Sequence, residues 1–173
     1  MIMKIKKLLS ITAAIICILS AITLCSCAGD DTNDGSDSVD MSALADAMSK
    51  ADSSLPVMLS ADSNNTDAAT LFAFLSELSY DKVNDYFYLY SKDGSPYEIA
   101  VIELKEADDA AMAAETLRTH VSQRVATYST YKKEYTAQAE NADVVSQGRY
   151  VAMIMTAAND SVKNVFRNET KEN

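Results

Sequence analysis

Few residues in this chain could do covalent or acid–base chemistry. Among 173 residues there is one His, His120, and three Cys, at 17, 25 and 27. A zinc site or a Cys/His nucleophilic pair needs several such side chains to converge, and these are too few and badly spaced. His120 falls beside Leu117 and Val121 with no second His, no Cys and no acid partner in a motif, and is read as a surface or boundary histidine. Serines are abundant, but no Gly-x-Ser-x-Gly elbow presents one as a nucleophile. The four Gly stand at 29, 35, 94 and 148, so no glycine run can cradle a phosphate. Asp108 and Asp109 read as a helix start. Glu98 and Glu103, five residues apart on a strand, point to opposite faces. No catalytic residue, cofactor or metal is assigned. A hydrolase acting in the cell envelope is the weakest of the readings considered.

The aromatic residues are more suggestive. All nine Tyr lie from Tyr80 onward. Tyr86, Tyr88 and Tyr90 alternate with Phe87 and Leu89, which puts three rings on one strand face. Rings with hydroxyl tips suit recognition of a glycan, a peptide or a partner protein. Tyr86, Tyr88 and Tyr90 are therefore the candidate ligand or partner surface. The plainer alternative is the outer face of an ordinary antiparallel sheet, or a packing in which Phe87 and Leu89 are the exposed pair.

The amino end carries the most specific chemistry. Lys4, Lys6 and Lys7 precede the 17 uncharged residues Leu8–Leu24. This is the layout of a secretory signal, and it is short for a permanent span, which takes about 20 apolar residues. Leu24-Cys25-Ser26-Cys27 resembles the bacterial lipobox. That resemblance implies cleavage after Ser26 and a diacylglycerol on the sulfur of Cys27. Residues 1–26 are thus read as a lipoprotein signal peptide, and the protein as held by lipid on the extracytoplasmic face of the cell membrane. Two or three acyl chains hold firmly where one does not. Removing residues 1–26 deletes three Lys and no acid, moving the formal charge from −10 to −13. An acidic chain of pI ≈ 4.5 is unsuited to nucleic acid, which demands a basic patch.

Residues 27–40 read as an acidic flexible tether. Ala28–Asp40 holds five acids, no base and two Gly, too little apolar surface to offset its ordering entropy. Asp30, Thr32, Asp34 and Gly35 mimic a calcium loop, but its twelfth position is Met41 instead of Glu. Residues 41–173 then form one domain. Met41, Leu44, Ala45 and Met48 predict a helix over 41–53, stopped by Leu55-Pro56, with 55–59 extended. A second helix is predicted over 66–79 from Leu71, Phe74, Leu75 and Leu78. Strands 85–91 and 97–105 flank the turn Lys92–Pro96, giving a hairpin. A long helix follows over 108–133, its buried stripe running through Ala114, Leu117, Val121 and Tyr128. A second hairpin, 143–146 and 150–156, turns at Gln147-Gly148-Arg149, and a helix over 159–167 closes the chain. The expected fold is α+β: an antiparallel sheet of about four strands in two hairpins, with helices packed on one face.

These elements carry a family resemblance. Leu-Pro-Val-Met-Leu (55–59), Tyr-Glu-Ile-Ala-Val-Ile-Glu-Leu-Lys (97–105), Ala113-Ala114-Glu115-Thr116-Leu117 and the stretch 141–151 resemble a domain-of-unknown-function family of small lipoproteins from Gram-positive bacteria, the type numbered 4358. The likeness covers roughly residues 42–168. It implies a fold and a location, and no activity. The expected function is a non-catalytic binding or accessory module whose membrane contact is the lipid on Cys27 and whose protein or glycan partner is unnamed. The alternative is a structural subunit of an envelope complex.

Overall fold

All seven side chains of the strand Glu98–Leu104 are buried, and so are all six of Tyr150–Met155. A strand buried on both sides must lie in a sheet that is covered on both faces. In the computed structural model, described over residues 39–171, it does. The predicted signal segment 1–26, the predicted lipid site Cys27 and the predicted tether up to residue 38 lie outside the described residues.

In chain order the elements are α1 (Met41–Lys50), β1 (Met58–Asp62), α2 (Ala68–Leu75), β2 (Val83–Ser91), β3 (Glu98–Leu104), α3 (Ala110–Tyr131), α4 (Thr136–Glu140), β4 (Asp143–Gln147), β5 (Tyr150–Met155) and α5 (Asn159–Glu169). Short 3-10 turns precede β2, α3 and α4. The sheet order is β1-β2-β3-β5-β4, and every neighbouring pair is antiparallel. The α+β antiparallel sheet and its two hairpins are those the sequence predicts. Pairing with β2 adds β1 as a fifth strand, slightly beyond the extended segment at 55–59.

The layering differs from the expectation of helices on one face. On β3, residues of both parities are apolar, so each face needs a cover. Ala100, Ile102 and Leu104 pack with Phe72 and Leu75 of α2 and with Ala113, Ala114 and Leu117 of α3. Ile99 and Val101 pack on the opposite face with Met41, Leu44 and Met48 of α1 and with Val162 and Phe166 of α5.

Local chemistry fixes the ends of these elements. Asp40 caps α1, accepting from the backbone N–H of Ser42 and of Ala43 at 3.0 Å each. Asp52, after α1, accepts through Oδ2 from the N–H of Ala157 (3.0 Å) and Ala158 (3.1 Å), tying the end of α1 to the start of α5. Burial pushes the Asp52 carboxyl up, but these bonds and those from Ser54 outweigh it and hold it below its ordinary value. The β4–β5 turn is Gly148-Arg149, with Gly148 at φ 53. Glycine first and a negative φ second is the arrangement of a II′ hairpin turn.

Candidate functional site

The β3 strand inserts two carboxylates into an otherwise apolar row. Glu98 and Glu103 are both 0 % exposed. A buried carboxylate needs donors or a paired cation, and each of these has both, although Glu98 Oε1 is met by an ion pair alone.

Glu98 opens β3 on the face covered by α2 and α3. Its Oε2 accepts from the Tyr88 hydroxyl of β2 at 2.8 Å and faces His120 Nε2 of α3, also at 2.8 Å. An ionised carboxylate only accepts, so this contact requires the proton on His120 Nε2. Arg124, one helical turn beyond His120, brings its Nε to 2.5 Å from Oε1. That contact is an ion pair whose angle is not that of a hydrogen bond. Arg124 Nη2 donates to the Tyr128 hydroxyl at 2.5 Å, and the guanidinium carbon lies 4.9 Å from the centre of the Tyr128 ring. Tyr88 and His120 meet edge to face, with centroids 5.8 Å apart. Burial alone would raise the Glu98 carboxyl. The His120 bond, the Arg124 charge and the Tyr88 bond outweigh it and hold that carboxyl below its ordinary value. Burial and the neighbouring Glu98 charge push the Tyr88 hydroxyl far up, so it stays protonated as a donor.

Glu103 lies near the other end of β3, on the face covered by α1 and α5. Its Oε2 accepts from Asn84 Nδ2 at 2.8 Å. Its Oε1 pairs with Arg149 Nη2 at 2.7 Å and accepts from the Tyr150 hydroxyl at 3.0 Å.

The Glu98 cluster borders a cleft. It is a space of about 500 Å³ lined by Ala61, Leu71 and Phe74 on one side and by His120, Gln123, Arg124 and Thr127 of α3 on the other, with Tyr88 and Tyr90 between. Phe74 projects from α2 with 73 % of its surface exposed. Clefts of about 300–1,000 Å³ with an apolar wall and a few polar groups are ordinary small-ligand sites. Two larger hollows have committed polar linings. In the one of about 750 Å³ beside α4, Asn159 Oδ1 caps the N–H of Thr156, and Lys163 pairs with Asp143 and Asp160. In the one of about 560 Å³ beside β1, Asp40 is the α1 cap and Asp85 accepts from Ser63 and from the Tyr86 N–H.

The three tyrosines share one face as predicted, but that face is under helices. Tyr86 is wholly buried, stacked edge to face on Phe72 at 5.1 Å, and it donates to the Ala68 carbonyl at 2.8 Å. Its ring takes no part in the cleft beside Glu98, and burial pushes its hydroxyl up to about 12. Tyr88 is buried except where it meets the cleft, and Tyr90 is half-buried in the cleft wall. The correction has a plain cause: α2 returns over β2 and needs an aromatic floor.

His120 is likewise relocated. It is buried at 8 % exposure, and its acid partner is Glu98, 22 residues away on another element. Glu98, Arg124 and Phe74 were not singled out by sequence reasoning as members of one site. The one signal was a charge inside the β-forming run 97–105. Cys27 lies outside the described residues. Among the described residues, no group of three or more His, Cys, Asp or Glu is placed to hold a metal. No described helix is long and apolar enough to cross a membrane.

Residues 57–156 match the model of a family described as a domain of unknown function (DUF4358). No curated protein and no solved structure matches.

Proposed function

Since the chain belongs to this family of domains of unknown function, its role must be read from its own residues, and we propose a lipid-anchored extracytoplasmic binding module that takes its ligand in the cleft between α2 and α3. One observation carries the reading. The charged groups are paired with each other, Glu98 with Tyr88, His120 and Arg124, while the facing wall of Ala61, Leu71 and Phe74 offers aromatic and apolar surface. A catalytic acid or base needs a group held poised for the substrate. Here the carboxylate is spent on internal donors, and no serine or threonine hydroxyl is bonded to His120 among the described contacts. The paired charges hold one another in place and the apolar wall is left to be contacted. The lipobox resemblance at Leu24–Cys27 and the acidic stretch behind it support the anchoring part of this reading.

Two measurements test this. In bacteria fed labelled palmitate, the full chain takes up label and loses residues 1–26, whereas Cys27→Ala stays uncut and unlabelled; a labelled Cys27→Ala ends the anchoring proposal. For the cleft, the full chain is recovered from detergent-solubilised membranes and analysed by native mass spectrometry. A bound molecule or stoichiometric partner retained by the wild type is lost in Thr127→Trp, whose indole fills the cleft. Equal retention by both, or no retention by either, rejects the binding reading.

A further inference from the structure

The geometry points to a small amphipathic carboxylate as the ligand, a flat or branched apolar body bearing one anionic group; this rests on the cleft reading above. Two features at opposite sides of the cleft carry the inference.

The first is Arg124. Its Nε faces Glu98 and its Nη2 donates to Tyr128, and Nη1 has no bonded partner among the described residues. The side chain lines the cleft and is 31 % exposed. A guanidinium presents several donors in a fixed plane, so one carboxylate on one edge leaves the other edge able to take a second. Glu98 depends little on that outer edge, because Tyr88 and His120 already donate to its Oε2. Gln123, exposed on the same wall, has an amide able to donate beside it. A cationic ligand would instead meet Arg124 head-on.

The second is Phe74. Its ring is 73 % exposed on α2 and takes no part in the core cluster that Phe72 and Leu75 join. With Leu71, Ala61 and Tyr90 it makes an apolar wall across from Arg124. A ligand that stacks on Phe74 and reaches Arg124 must be apolar at one end and anionic at the other. The volume of about 500 Å³ suits a body the size of one or two rings.

The test titrates the full chain in lipid nanodiscs with three probes matched in shape: 3-phenylpropionate, its uncharged amide and 3-phenylpropylamine. Binding is followed by saturation-transfer NMR. The acid is expected to bind at least about tenfold more tightly than the amide, as a charge-assisted hydrogen bond warrants, and the amine not at all. Phe74→Ala, at a site 73 % exposed, weakens the acid about fivefold. Arg124→Lys keeps a cation for Glu98 but removes the second edge, and brings acid and amide close to parity. Equal binding of acid and amide in the wild type overturns the inference, as does an unchanged affinity in Phe74→Ala. If all three probes fail while Thr127→Trp still abolishes retention of the natural ligand, the carboxylate class falls and the cleft stands. If that retention is also insensitive to Thr127→Trp, both fall.

Discussion

The two ends of β3 solve one problem twice. Each places a glutamate where the strand should be apolar. Each satisfies it with a tyrosine hydroxyl and an arginine that also lies against a tyrosine ring, Arg124 over Tyr128 at 4.9 Å and Arg149 over Tyr150 at 5.6 Å. The differences lie in the third donor and in the roof. Glu103 takes a neutral amide, Asn84, and its arginine comes from a tight hairpin turn. Glu98 takes a histidine, and both its histidine and its arginine come from one long helix that stands off the sheet far enough to leave a cleft. A buried ion pair is in itself weak evidence of function, since such pairs often serve only to fix a unique packing. The Glu103 end shows what that structural role looks like here. The open wall beside Glu98 is what the structural role does not explain.

The largest effect should be common to both ends. Replacing Arg124 or Arg149 by Met leaves a fully buried carboxylate short of its cation, and each should cost about 3 kcal/mol in denaturant unfolding. Glu98 and Glu103 are five strand residues apart, roughly 16 Å, on opposite faces, so the two losses should add within about 0.5 kcal/mol. A loss below about 1 kcal/mol at either arginine would show that its carboxylate is not held as a buried pair, and the symmetry would fail at that end.

Acid should act at the Glu98 end. The Glu98 carboxyl is held below its ordinary value, with burial working against that and the His120 and Arg124 contacts prevailing. A depressed carboxyl lends stability above its unfolded value, and that stability is lost as pH falls through the lower folded value. The wild type should therefore lose stability as pH drops below about 4.5, and Glu98→Gln should flatten that part of the curve. Chemical denaturation midpoints across the acid range measure it. A Glu98→Gln curve parallel to the wild type would remove Glu98 as the source.

How much of this was legible beforehand follows from which interactions are local. The two hairpins and α3 were readable because period and turn chemistry sit within a few residues: the alternation of 85–91, Lys92–Pro96, Gln147-Gly148-Arg149. The double cover was written in Ile99-Ala100-Val101-Ile102, a run apolar at both parities, which one covered face does not need. β1 was harder, since Leu59-Ser60-Ala61-Asp62 alternates over only two repeats and its strand character comes from pairing with β2. The short helical segment at 133–140 has no sustained periodicity and went unread. The site was the least legible. Period 2 puts Tyr86, Tyr88 and Tyr90 together but cannot say that α2 lies over Tyr86. Nothing near His120 in sequence announces Glu98, because their pairing is made by the α3–β3 crossing.

The smallest effect on stability should come from the residue that most distinguishes the open end. Phe74 is 73 % exposed, on the solvent side of a helix whose Phe72 and Leu75 do the packing. Phe74→Ser should move unfolding free energy by no more than about 0.5 kcal/mol, as for surface substitutions generally. No residue at the Glu103 end is expected to behave this way, with stability untouched and binding reduced. Paired thermal melts and ligand titrations of Phe74→Ser decide the matter. A stability loss above about 1 kcal/mol would mean that Phe74 closes the fold over Tyr88 and Tyr90, and the cleft beside Glu98 would then be as structural as the cluster around Glu103.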